Sequence, residues 1–148
     1  MGVKQTTQDM YQHLLQEHAE ICNLATTLLR VLVEQQQPPD RVSHLFETLC
    51  DRVKWHFADE EATGMFEQIV QSVPHLAATS DTLREEHHEL LGNLELLRDR
   101  ACQGNLTRTR WEELEHGFRD FSNRLTQHEY RENDLLHRTY GQSLPENG

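Results

Sequence analysis

Residues 111–135 read WEELEHGFRDFSNRLTQHEYRENDL, and their inward-facing positions step by three and four without a break. Trp111, Leu114, Phe118, Phe121, Leu125, His128, Glu132 and Leu135 share one stripe of a helix over more than three heptads. His128 and Glu132 occupy places where Leu is expected. A buried imidazole or carboxylate without a partner costs several kcal/mol, so this stripe asks for a compensating group. Residues 42–60, VSHLFETLCDRVKWHFADE, repeat the pattern: Val42, Leu45, Phe46, Leu49, Val53, His56 and Glu60 form a stripe that also ends in His-xxx-Glu. The chain has 10 His and many Glu, so some His-xxx-Glu spacing arises by chance. His13/Glu17 is such a pair and acts as an internal control, because it lies off the stripe of its helix and reads as solvated.

Two further helical patterns flank these, and no strand is evident. The first pattern covers about 7–34, with the stripe Tyr11, Leu14, Leu15, His18, Ile21, Cys22, Ala25, Leu28, Leu29 and Leu32. Pro38-Pro39-Asp40 breaks it, and Asp40 is the expected N-cap of the second helix. Gly64 weakens that helix before an apolar tail (Met65, Phe66, Ile69, Val70) that runs to Pro74. Ser80 or Asp81 is expected to start the third helix, with Leu83, His87, Leu90, Leu94 and Leu97, and Gly104-Asn105 to end it. Thr107 or Thr109 starts the fourth. Short links between long helices predict an all-α fold, an antiparallel up-down-up-down four-helix bundle. In that topology about 17 residues lead from His18 to the first turn and about 17 lead back to His56, so at about 1.5 Å per residue the two arms match. The arms around His87 and His128 agree within about one turn. Four helices thereby bring four His and two Glu to one level of the core.

Composition limits the partners. A formal net charge of −11 argues against nucleic acid or an anionic membrane surface. No run approaches the roughly 18 apolar residues that span a bilayer, and MGVKQTTQDM lacks the apolar region of a signal peptide. Three widely spaced cysteines suit a reducing cytoplasm better than a disulfide framework. The expectation is a cytoplasmic single domain over residues 1–148, with its core at about 8–140 and a short loose C-terminal tail.

Residues i and i+4 on a helix share a face, so each His-xxx-Glu offers a nitrogen and an oxygen to one centre. Mixed imidazole and carboxylate donors without a thiolate cluster suit Fe, Mn or Zn and disfavour an all-oxygen Ca or Mg site. Two carboxylates with four imidazoles inside a helical bundle point to a dinuclear site with iron as the leading metal. The elements Glu17-His18, His56-Phe57-Ala58-Asp59-Glu60, Glu86-His87 and His128-Glu129-Tyr130-Arg131-Glu132 together resemble the hemerythrin-like (HHE cation-binding) domain, over roughly residues 8–140. The resemblance implies a four-helix bundle holding two non-haem iron ions. It implies His18, His56, Glu60, His87, His128 and Glu132 as metal ligands, with Glu60 and Glu132 as bridges. It implies dioxygen, peroxide or nitric oxide as the small ligand, bound, sensed or consumed.

The chain departs from the oxygen-carrying members, which have two His four apart on the third helix. Here the positions four from His87 are Leu83 and Leu91, so one imidazole is missing; Cys22, one turn beyond His18, is a weak candidate to replace it. Those members also end the last motif with Asp at i+5, where this chain has Asn133, so Glu132 serves. The leading expectation is a protein that binds or senses dioxygen or a related small oxidant. The alternatives are a di-iron enzyme acting on peroxide, nitric oxide or ferrous iron, and a metal-dependent sensor or adaptor without turnover, which calls for a protein partner that the sequence does not identify. His13, His44, His75, His88, His116 and His137 read as surface residues. Arg52, Arg84 and Arg124 lie one turn from the candidate ligands, where they can reach carboxylates beside the centre, and read first as surface salt-bridge partners; Phe57 and Phe66 read as core residues that can also wall the pocket.

Overall fold

The computed structural model describes residues 3–140, and the expected loose C-terminal tail lies outside them. Among these residues all the regular structure is helical, with no strand. The long helices are α1 (Val3–Glu34), α2 (Pro39–Ala62), α4 (Ala77–Ala101) and α5 (Arg108–Tyr140); a short α3 (Met65–Ser72) and a single 3₁₀ turn (Pro74–Leu76) link α2 to α4. None of these helices is long and apolar enough to cross a membrane.

The helix boundaries follow local chemistry, and they correct three expectations. Asp40 is not the cap of α2: Pro38 is the N-cap residue and Pro39 opens the helix, where its missing N–H costs nothing. Asp40 instead lies in the first turn, close to the positive end of the helix dipole. The apolar tail after Gly64 is a helix of its own, because Gly64 takes a left-handed φ of 74° and redirects the chain. Helix α4 starts at Ala77, directly from the 3₁₀ turn, so Ser80 is buried inside the helix rather than capping it. The start of α5 matches the expectation, with the Arg110 N–H donating to Thr107 Oγ1 at 3.2 Å. Gly104, at φ 94°, closes the turn after α4.

Helix α1 packs against α2 and α5, and α4 packs against the same two; α3 lies on α2, α4 and α5. Each seam is marked by polar pairs whose numbers run in opposite directions. Glu20–Arg52 and Glu17–His56 join α1 to α2. Glu89–Arg124 and Glu86–His128 join α4 to α5. The buried apolar residues form two separate clusters. The larger contains Ile21, Val53, Phe57, Leu90 and Leu125 and is centred on aromatic contacts such as Phe46 edge-on to Phe118 at 5.5 Å. The smaller contains Leu14, Met65, Phe66, Leu83 and Leu135. Along the chain polar residues separate the two: His18 between Leu14 and Ile21 in α1, Glu60 between Phe57 of α2 and Met65 at the start of α3, His87 between Leu83 and Leu90 in α4, His128 and Glu132 between Leu125 and Leu135 in α5. All three cysteines are unpaired thiols.

Candidate metal centre

The six residues singled out in the sequence are all buried, none more than 3% exposed, and they meet in this layer. His18 Nε2 lies 2.9 Å from Glu132 Oε1 and 3.3 Å from Glu60 Oε2. His87 Nε2 lies 3.3 Å from Glu60 Oε1 and 3.5 Å from Glu132 Oε2. His56 Nε2 is 3.2 Å from Glu60 Oε2, and His128 Nε2 is 3.0 Å from Glu132 Oε2. Four imidazoles thus turn the same nitrogen toward two carboxylates. The donor atoms form two groups that can each hold a metal ion: His18, His56, Glu60 and Glu132 in one, His87, His128 and Glu132 in the other. The imidazoles of each half meet edge to face, His18 with His56 at 4.6 Å and His87 with His128 at 5.1 Å between centroids.

The outward nitrogens are each held by a residue the sequence reading did not assign. His56 Nδ1 donates to Glu17 Oε1 at 2.8 Å, and His128 Nδ1 to Glu86 Oε1 at 2.8 Å. His18 Nδ1 donates to Asn133 Oδ1 at 2.6 Å, and His87 Nδ1 to Glu61 Oε2 at 3.3 Å. Fixing Nδ1–H in this way presents the Nε2 lone pair inward and raises its basicity. Glu86 is itself gripped by both oxygens in the Arg131 guanidinium, at 2.8 and 2.7 Å. Glu17 is therefore only half of the solvated control pair it resembles: His13 is exposed, but Glu17 reaches inward to His56. A signal for these residues was present, since two of them precede a ring histidine (Glu17-His18, Glu86-His87) and two follow a central carboxylate (Glu60-Glu61, Glu132-Asn133).

The electrostatics match a site that binds cations. Burial disfavours a charge on His18, yet its hydrogen bonds to Glu132 and Glu60 outweigh burial and raise its pKa to about 11. His87 is raised to about 10 by the same balance. Burial opposes the charge on Glu132, but the surrounding hydrogen bonds hold its carboxyl well below the usual carboxylate range. Protons on these imidazoles are the positive charge that the two carboxylates demand when no ion is bound.

Whether a metal fits is answered by the polar atoms left over. His56 Nε2, His128 Nε2 and Glu60 Oε1 are buried, and although each lies near an opposite charge, none is in hydrogen-bonding geometry. Buried polar atoms are rarely left so, and metal coordination satisfies them. A family model described as the hemerythrin HHE cation binding domain matches residues 9–140. The chain belongs to this hemerythrin HHE family. Comparison with curated proteins and with solved structures found no match. As an HHE protein the chain keeps imidazole and carboxylate donors alone at the centre, a set suited to iron, manganese or zinc.

Around the HHE centre, Phe57 stacks on His87 with ring centroids 3.9 Å apart and planes 7° from parallel, and Phe66 meets the same ring at 5.7 Å. Leu83, four residues before His87, is fully buried, and Leu91 packs on the larger core cluster. Cys22 donates its Sγ–H to Glu129 Oε2 at 2.9 Å rather than joining either donor group. Burial and the Glu129 carboxylate push its thiol up to about 12, and a protonated thiol is a poor metal ligand. His13, His44, His75, His88, His116 and His137 are all exposed. Arg84 does reach Glu61, at 3.8 Å, so one of the three arginines read as surface partners touches a carboxylate that holds a ring histidine.

Proposed function

We propose that this HHE protein carries a carboxylate-bridged, non-haem di-iron centre with which it binds or senses dioxygen or a related small oxidant. The observation that carries the reading is the convergence of four buried Nε2 atoms on two buried carboxylates, with every Nδ1 held from outside. In this reading His18 and His56 serve one ion, His87 and His128 the other, and Glu60 and Glu132 bridge them. The opposed numbering across the helix seams supports an antiparallel up-down-up-down bundle within a single domain. Two iron ions held there would supply the redox change and a coordination position for the oxidant. Phe57, Phe66 and Leu83 exclude bulk water from the His87 side, and Glu17, Glu61, Glu86 and Asn133 orient the imidazoles.

One observation favours a second reading. Leu83 and Leu91 leave the His87–His128 half one imidazole short of the oxygen-carrying pattern, and an open position favours direct reaction with peroxide, nitric oxide or ferrous iron. The test is the near-ultraviolet and visible spectrum of iron-loaded protein through reduction and exposure to air. Charge-transfer bands that bleach on reduction, return in air and fade when dioxygen is removed support binding. Bands that return irreversibly, with peroxide consumed over many turnovers, support the enzyme. A spectrum without such bands at full iron loading contradicts both.

A further inference from the structure

The two halves of the centre are related by an approximate two-fold repeat of contacts. Glu17 to His56 on α1 and α2 corresponds to Glu86 to His128 on α4 and α5. Asn133 to His18 corresponds to Glu61 to His87. In this relation Leu14 matches Leu83, Glu60 matches Glu132, and His56-Phe57 matches His128-Glu129. The repeat breaks at that last place. Phe57 covers the face of His87, whereas its counterpart Glu129 is a carboxylate, 3% exposed, on the side of α5 that faces α1. The counterpart of Leu91 is Cys22, and Cys22 is what Glu129 touches.

Glu129 is only half accounted for by its contacts. Its Oε2 accepts the Cys22 thiol, a weak donor, while its Oε1 is buried with no hydrogen-bond partner. An apolar side chain in the same place removes that cost, as Phe57 does on the other half. As the side chain stands, Glu129 lies outside the donor group of His18, His56, Glu60 and Glu132; its place on the α1 side of α5, against Cys22 one turn beyond His18, puts it beside that half of the centre.

We propose that Glu129 is an additional ligand, through Oε1, to the ion on the His18–His56 side, and that the two metal positions are unequal for this reason. The proposal rests on the two-ion reading above. Cys22 holds Oε2, and the unpartnered Oε1 would swing in to the ion as it binds. The His18–His56 position then has one more anionic donor and fills first. The His87–His128 position, walled by Phe57 and Leu83, keeps the open place for the small ligand.

The test is titration of metal-free protein with Co²⁺, followed by calorimetry and by the visible bands of the ion, in the full chain and in Glu129→Gln and Glu129→Met. The wild type is expected to take two Co²⁺ in two steps. Both variants weaken the tighter step ten-fold or more, leave the other unchanged, and melt no lower than the wild type when metal-free. Variants that titrate like the wild type overturn the proposal. Variants that lose melting temperature and both steps together assign Glu129 to the fold and overturn it too. A wild type that takes fewer than two Co²⁺ overturns the two-ion reading and this proposal with it.

Discussion

A neutral imidazole has one N–H and one lone pair, so whatever holds one nitrogen decides what the other can do. Glu86 shows the consequence most clearly, because it joins His128 Nδ1 to the Arg131 guanidinium. Glu86→Gln keeps the shape and loses the charge; it is expected to weaken metal binding about ten- to a hundred-fold, read by competition with a chelator, while the helical content is unchanged. A second consequence concerns pH. The folded pKa values of His18 and His87 are raised from 6.5 to about 11 and about 10. Their stabilisation of the metal-free protein is therefore complete below 6.5 and is lost as the pH climbs toward those values. Glu132, with a lowered pKa, contributes above 4.5 and loses its contribution in more acid solution. Melting of metal-free protein should fall steadily from pH 6.5 to 10, while metal affinity rises over the same range because each ion displaces protons from Nε2. A flat melting profile would show that these pairs do not hold the layer together. The six central residues were legible because a buried stripe has no other use for His or Glu. Asn133 registered only as a departure from Asp, and the roles of Glu17, Glu61 and Glu86 were not legible, because they flank the stripe, where Glu is common in a chain with 25 acidic residues. Glu129 was passed over for the same reason, although it is buried.

At the scale of the element, heptad spacing was enough to locate the four long helices, since a stripe of this length has one stable partner arrangement. The helix starts were less legible. Asp40 and Ser80 are good capping residues by type, but Pro39 pre-sets the first turn of α2, and the 3₁₀ turn feeds α4 before Ser80 is reached. The break at Gly64 shows as a φ of 74° with room around it, the nearest side-chain atom to an added Cβ being 3.9 Å away. Gly64→Ala is thus expected to cost roughly 1–2 kcal/mol from backbone conformation alone, measured by urea unfolding. Phe118, fully buried against Phe46 and Phe121, belongs to the larger apolar cluster. Phe118→Ala should cost about 3–5 kcal/mol with the metal count per chain unchanged. Loss of metal in that variant under folding conditions would mean that the cluster and the centre are one cooperative unit rather than neighbours.

In the whole molecule, a layer of buried charge divides the core into two apolar parts, and the fold is stable to the extent that the layer is neutralised. Protons do this when no ion is bound; an ion that binds only the folded state does it better. Metal at a hundred times its dissociation constant should add about 2.7 kcal/mol of stability, visible as a rise in melting temperature that disappears on adding a chelator. The layer of six residues was readable from spacing, and the family from the resemblance of the combined motifs. The count and identity of the ions depend on donor positions to fractions of an ångström and on outer contacts such as Asn133 to His18, which no spacing reveals. The central claim is therefore tested most directly by counting: iron per folded chain after anaerobic loading with ferrous iron and removal of the excess. The account predicts two irons per chain, falling to one or fewer in His56→Ala and in His128→Ala. A folded wild type that retains no iron, or a single ion untouched by either substitution, would contradict it.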